Sequence, residues 1–282
     1  MEMKLRSTLW LPLAVVCCWP LAAPAQLQLM PDVQSQRVFA GDARKVTVVW
    51  HNAGDKTVEA EIRARMLQTS SATAVQLSER PWKKLQILPG QTVVESAQLD
   101  FPIVKAETRF LVQWLVDSNQ ITGVTDVFVY PTNLLAELKP MAADEPLGVF
   151  DPQNQLKPLL KNLRLDFADL EDAGLENFSG KLAIIGPFQS KPQMREGLAG
   201  QIQALARKGT AMVWLQPPRE RRAKLLPSFY SMPEGPAAMV VVQPELVANL
   251  PNNPQSQLNL IYFCKLALNP QPFTLPDPSP QP

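Results

Sequence analysis

Histidine occurs once in this 282-residue chain, as His51, and cysteine three times. Cys17 and Cys18 fall in LWLPLAVVCCWPLA, the apolar stretch that follows Lys4 and Arg6 near the start. Ala23-Pro24-Ala25 then sets small residues where a signal peptidase reads. The expectation is export, periplasmic or secreted, with a signal peptide (residues 1–25) cleaved after Ala25 and both cysteines lost with it. A lipoprotein would use one of them, but Val16 stands before Cys17 where a small residue is wanted. Cys264 is then the last thiol, and one thiol makes no internal disulfide, cysteine metal cluster or redox pair. It lies in LNLIYFCKLAL (258–268), an apolar run that reads as a strand, so a buried, inert thiol is expected.

Excess charge is also lacking. With 27 basic and 26 acidic residues the net charge is +1, which argues against non-specific nucleic-acid binding. No segment after the leader approaches a membrane-spanning length of apolar residues, so membrane contact is expected through the signal peptide alone. No His/Cys cluster offers zinc ligands, no calcium loop is present and no Gly-rich phosphate loop follows a strand, so no cofactor and no metal are expected. Proline is plentiful instead. There are 28 of them, about twice the usual share, and residues 270–282 read as a Pro-rich tail with no core to join.

From Gln26 to about residue 135 the pattern alternates with period two. Val46, Val48 and Trp50 share one face of KVTVVWH, and Val58, Ala60, Ile62, Ala64 and Met66 share one face of TVEAEIRARM. NAGDK between them is a hairpin turn, and LPGQTV (88–93) supplies another. In RFLVQWLVD, Phe110, Val112, Trp114 and Val116 point together, which makes Trp114 a core residue. Seven or so short strands at this spacing predict an all-β, immunoglobulin-like β-sandwich without the inter-sheet disulfide. Trp82, flanked by charge in RPWKKLQ, is its candidate sugar-stacking platform; the alternative is a ring half-buried on the sandwich edge.

A polar linker (136–146) leads to a different period. PLGVFD reads as a strand, and Asp151 as an N-cap with Pro152 in the first helical position. Leu156, Leu159, Leu160 and Leu163 then form a helical stripe, broken or shortened by Pro158. LDFADL, KLAIIGPF, TAMVWLQP and AAMVVVQP read as further strands, and residues 192–208 as the clearest helix, with Met194, Leu198, Ile202 and Leu205 on one face. Strand and helix alternate, so residues 147–269 are expected to form an α/β domain with a doubly wound, mostly parallel sheet.

The runs LEDAGLENFSGKLAIIGPF and GLAGQIQALARKGTAMVWLQPP resemble the class I glutamine amidotransferase-like fold. The closer resemblance is to degenerate versions in exported bacterial proteins, including accessory regions of β-galactosidases and glycoside hydrolase family 2 proteins, which also pair a sandwich with such a domain. An active member places a cysteine on a sharp turn after a strand, with a later histidine and carboxylate. Here TAMVWL runs into Gln216-Pro217-Pro218, and His51 precedes the strand and belongs to the other domain. The resemblance therefore implies a domain that has lost its glutaminase chemistry.

Ligands of open α/β sheets sit beyond the carboxyl ends of the strands. Asp151, Gly186, Gln189, Gln216 and Arg219 are the candidate ligand-binding rim, although Asp151 reads first as a helix cap. Arg219, Arg221, Arg222 and Lys224 could hold an acidic group or form a solvated face. Asp166, Asp169, Glu171 and Asp172 are sequential acids without the second wall a glycosidase needs. Ser179 and Ser190 near Lys181 and Lys191 are the remaining Ser-Lys dyads, in turn-like sequence. Three functions follow: a non-catalytic binding or scaffolding protein of the cell envelope whose partner is an envelope protein or a carbohydrate, a carbohydrate-binding accessory protein beside a glycoside hydrolase, or a hydrolase of unrecognised type at the strand-end crevice. No catalytic residue is assigned.

Overall fold

The computed structural model describes residues 26–31, 36–117, 120–143, 145–188, 196–216, 229–234 and 237–270. Residues 1–25, Gln189, Ser190, Lys191, Met194, Arg219, Arg221, Arg222, Lys224 and the residues beyond 270 lie outside the described residues.

Eight strands build the first domain: β1 (Leu27–Leu29), β2 (Gln36–Phe39), β3 (Gly41–Asn52), β4 (Val58–Thr69), β5 (Ala74–Ile87), β6 (Thr92–Phe101), β7 (Thr108–Val116) and β8 (Gln120–Tyr130). They form two sheets, ordered β1-β3-β6 and β2-β8-β7-β4-β5. All pairs are antiparallel except β2 with β8. The first strands thus serve both sheets, β1 one and β2 the other. The alternation holds where it was read: Val46, Val48, Trp50, Ile62, Phe110, Val112 and Trp114 are buried between the sheets. Trp50 meets Trp114 edge-on at 6.3 Å, a favoured aromatic arrangement.

A third sheet has six described strands: β9 (Leu147–Phe150), β10 (Phe167–Asp169), β11 (Leu182–Ile185), β12 (Ala211–Leu215), β13 (Phe229–Glu234) and β14 (Ala237–Val242). Their order is β10-β9-β11-β12-β14-β13, parallel throughout except for the edge strand β13. α1 (Leu138–Met141) precedes these strands, α2 (Lys157–Asn162), α3 (Leu170–Ala173) and α4 (Leu198–Arg207) stand between them, and α5 (Pro254–Leu268) follows. Strand side chains such as Val149, Ile184 and Val213 pack with α2 and α5 on one face, while Ala183, Ile185 and Met212 pack with α3 and α4 on the other. Both faces are covered, which is why β9, β11 and β12 read as unbroken apolar runs. Chain order reverses between β9 and β11, and that is the switch point.

Two local expectations change. LNLIYFCKLAL is the body of helix α5, not a last strand. Asn253 caps it, its side chain accepting from Gln255 N–H at 3.0 Å, and Pro254 takes the first position. The helix is enclosed from two sides, by β12 and β14 below and by α1, β2 and the 3-10 turn Leu134–Glu137 above, which leaves Tyr262 and Lys265 on a narrow outward stripe. A helix so enclosed keeps only a narrow outward stripe, and with Tyr262 in it the polar face that identifies a helix is reduced to Lys265. The helix expected from Pro152 starts later, at Lys157, so Pro158 falls in its first turn, where a missing N–H is tolerated.

The stretch read as a linker, 136–146, carries α1 and buries Leu138. Phe39 and Tyr130 of the sandwich join Leu134, Leu135, Leu138 and α5 in one apolar cluster with the parallel sheet. Sandwich and α/β domain therefore share core.

Candidate functional site

The strand-end crevice at the switch point is bounded by the carboxyl ends of β9 and β11, with β12 next to them. Asp151 follows β9 and is 2% exposed. Its carboxylate turns inward to the chain: Oδ1 accepts from Gln155 N–H at 3.1 Å, and Oδ2 from Leu156 N–H at 2.7 Å and Lys157 N–H at 2.9 Å. These are the orphan donors at the start of α2, so Asp151 closes that helix end although Leu156, not Asp151, directly precedes it. The Asp151 N–H in turn donates to Glu171 Oε1 at 2.8 Å.

Gly186 follows β11 with φ of +101° and a cis bond to Pro187. A side chain there would bring a Cβ within 2.6 Å of the Leu215 carbonyl oxygen, so the position requires glycine. Gly186 N–H donates to the Phe150 carbonyl at 2.7 Å, which carries the pairing of β9 and β11 one residue past the strand ends. Phe188 then folds in, wholly buried, against Phe150 at 6.1 Å between ring centres. Gln216 extends β12 by donating its N–H to the Val242 carbonyl at 3.0 Å. The structure thus brings Asp151, Gly186 and Gln216 to one end of one sheet, with aromatic side chains between them. Trp82 is elsewhere, in the sandwich, and Gln189 and Arg219 lie outside the described residues.

Lys157 went unnoticed in the sequence. Its Nζ bridges Asp169 Oδ2 at 2.6 Å and Glu171 Oε1 at 2.8 Å, with the lysine side chain 12% exposed. Burial would lower the lysine pKa, but the hydrogen bonds Lys157 donates to Asp169 and Glu171 outweigh it and hold the ammonium above its ordinary value. Burial would likewise raise Asp169, yet the Lys157 ammonium and the Glu171 N–H keep its carboxyl below the usual range. Asp169 Oδ1 also accepts that N–H at 3.0 Å, capping α3. A cation in the first turn of a helix opposes the helix dipole. That misplacement was the available signal that carboxylates stand opposite.

No protein-family profile matches this chain, and no characterised protein sequence does. Among solved structures there is distant similarity to β-glucosidase regions and to other β-sandwich proteins. A Listeria innocua beta-glucosidase in complex with glucose is 14% identical, over 37% of this chain and 16% of that one, at a TM-score of 0.28. A Bifidobacterium adolescentis GH3 beta-glucosidase is 15% identical, over 36% and 17%, at 0.26. The sporulation control protein Spo0M of Bacillus subtilis is 12% identical, over 42% and 56%, at 0.29. Each match spans less than two thirds of the other protein's length, and likeness at that level says nothing of what this chain does.

Trp82 sits where the register of β5 against β4 shifts, in the bulge between Ile62/Lys83 and Arg63/Pro81. A bulge re-aims a side chain, and this one sets the indole on Trp114, 5.0 Å between centroids at 57°. The ring is half-buried against the sandwich core, not laid flat to solvent. His51 Nδ1 lies 3.0 Å from Thr92 Oγ1 on the sandwich. Ser179 and Lys181 precede β11, at the opposite end of the sheet from the crevice. Among the described residues no group of three His, Cys, Asp or Glu could hold a metal. At the crevice end of β12, Trp214 is buried and its indole N–H lacks a hydrogen-bond partner.

Proposed function

We propose that the chain is a non-catalytic exported protein of the cell envelope, in which the two domains bind or position an envelope protein. One observation supports this reading most. At the switch point, where an α/β enzyme would present its reacting groups, Asp151 spends its carboxylate on three backbone N–H groups and Phe188 fills the space beyond Gly186. A carboxylate committed to a helix end is a cap rather than a free acid or base. In this reading the α/β domain is a degenerate relative of the class I glutamine amidotransferases, with Gln216 and prolines after the strand that would carry the cysteine. The signal peptide is removed after Ala25 and the mature chain works outside the cytoplasm. The carbohydrate-binding alternative has less support, since its principal residue, Trp82, rests on Trp114.

The test is direct. Purified exported protein is expected to turn over neither glutamine nor chromogenic glycosides and esters, and to cross-link to an envelope protein in intact cells. Turnover that disappears in a folded Asp151→Asn variant would overturn the non-catalytic reading. A rise in melting temperature with one class of sugar, which must accompany binding to the folded state, would move the assignment to carbohydrate recognition.

A further inference from the structure

Gln26 is the residue that signal removal leaves first, on the export reading above, and the sandwich holds it in a fitted seat. Its backbone carbonyl accepts from Ala53 N–H at 2.9 Å, and its neighbour Leu27 stands in register with Asn52. The side-chain Nε2 donates to the Lys56 carbonyl at 2.9 Å. Gly54 is the floor of the seat, because a Cβ there would come within 2.4 Å of Gln26 Cγ and 2.6 Å of Nε2. The turn that forms the seat is fixed independently of Gln26. Buried Asn52 donates from Nδ2 to the Lys56 and Ile87 carbonyls, at 2.8 and 2.9 Å, and accepts from Gly54 N–H at 2.9 Å.

A first-position glutamine is self-reactive. Its α-amine attacks its own side-chain Cδ, a C–N bond forms, the Cδ–Nε2 bond breaks and ammonia leaves, closing a five-membered lactam with no co-reactant. Seat and reaction compete for one atom. Nε2, bound to Lys56, is the leaving group, and a side chain reaching to Lys56 is not folded back onto its own α-nitrogen. We propose that Gln26 is a modification site gated by the fold: open while seated, and closed to pyroglutamate once the seat is lost. The lactam has no NH2 left to offer Lys56, so closure is one-way and removes the side-chain pin of β1.

The experiment uses the full chain, exported with its own leader, and reads the mass of its N-terminal peptide. The isolated protein is expected to begin at residue 26 with its amide intact. Loss of ammonia should be at least about fivefold slower in the native protein than in the same protein unfolded in denaturant, the worth of one neutral hydrogen bond. A short peptide of the same N-terminal sequence, followed in both solvents, corrects for the denaturant itself. Gly54→Ala, which fills the seat, should bring the native rate up to the unfolded one. If that variant does not fold, the wild-type comparison decides alone. A start elsewhere than residue 26 refutes cleavage after Ala25 and the proposal with it, and an unprocessed chain refutes the export reading as well. A start at residue 26 with full closure on isolation, or with equal native and unfolded rates, overturns the proposal only.

Discussion

Asp151→Ala removes three acceptor contacts at once and leaves buried N–H groups at the head of α2 without partners. Losing a cap and stranding its donors costs about 2 kcal/mol. The expected result is a lower urea midpoint with unchanged slope, and a smaller loss for Asp151→Asn, whose amide oxygen still accepts. The two roles considered for Asp151 were not separable from DPQ alone, since a cap and an acid are the same residue type in the same place. They separate through Gln155 and Leu156, whose N–H groups reach back to it. Trp82 is a similar case. The sequence left open an exposed ring or one half-buried on the edge, and a bulge, which shifts alternation by one residue, gives the second; nothing in RPWKKLQ announces it except Pro81, which cannot join a ladder as a donor. Trp82→Ala should cost about 2 kcal/mol, less than the 3–5 kcal/mol of a fully buried aromatic, and red-shift the fluorescence of Trp114 in the folded protein.

At the scale of elements, Lys157 joins the head of α2 to the end of β10 and the start of α3 through Asp169 and Glu171. The sign of its pH dependence follows from the two shifts. Asp169 is lowered in the fold, so its contribution is present above its unfolded value of about 3.8 and is lost as pH falls through the lower folded value. Lys157 is raised, so its contribution is complete below about 10.5 and is lost as pH climbs through the higher folded value. Stability should therefore fall at both extremes, and Lys157→Met should flatten the alkaline limb while leaving Asp169 and Glu171 to repel each other at neutral pH. Urea midpoints across the pH range, wild type against variant, check this; an unchanged alkaline limb in Lys157→Met would contradict it. Helix α5 marks the other limit of pattern reading. Period-two and period-3.6 patterns both exist only where one face meets water. The sandwich strands keep such a face and were legible residue by residue; in α5 it narrows to Tyr262 and Lys265, and its 15 residues read as an apolar run. Its cap, Asn253-Pro254, was the usable signal.

For the whole molecule, that shared core decides how the protein comes apart. Phe39 and Tyr130 at the sandwich end, Leu134, Leu135 and Leu138 in the junction, and Cys264 at the middle of α5 belong to one apolar cluster. Burial, which penalises the thiolate, pushes the Cys264 pKa up to about 12, so alkylating reagents should leave it untouched at pH 8 until the junction opens. Two domains joined by a polar tether would unfold in two steps; two domains sharing core should unfold in one. The tryptophans make the distinction measurable, because Trp50, Trp82 and Trp114 report on the sandwich and Trp214 on the parallel sheet. In a Trp214→Phe background fluorescence follows the sandwich alone, while Cys264 alkylation follows the junction. The two denaturation curves are expected to coincide. Leu138→Asp buries an unpaired charge in the junction, at a cost that removes most of the shared stability. It should split the curves, with Cys264 becoming reactive at a denaturant concentration where the sandwich fluorescence is still native. Coincident curves in that variant would mean that the sandwich cannot stand without the sheet, and that the boundary in the sequence divides two patterns within one cooperative unit.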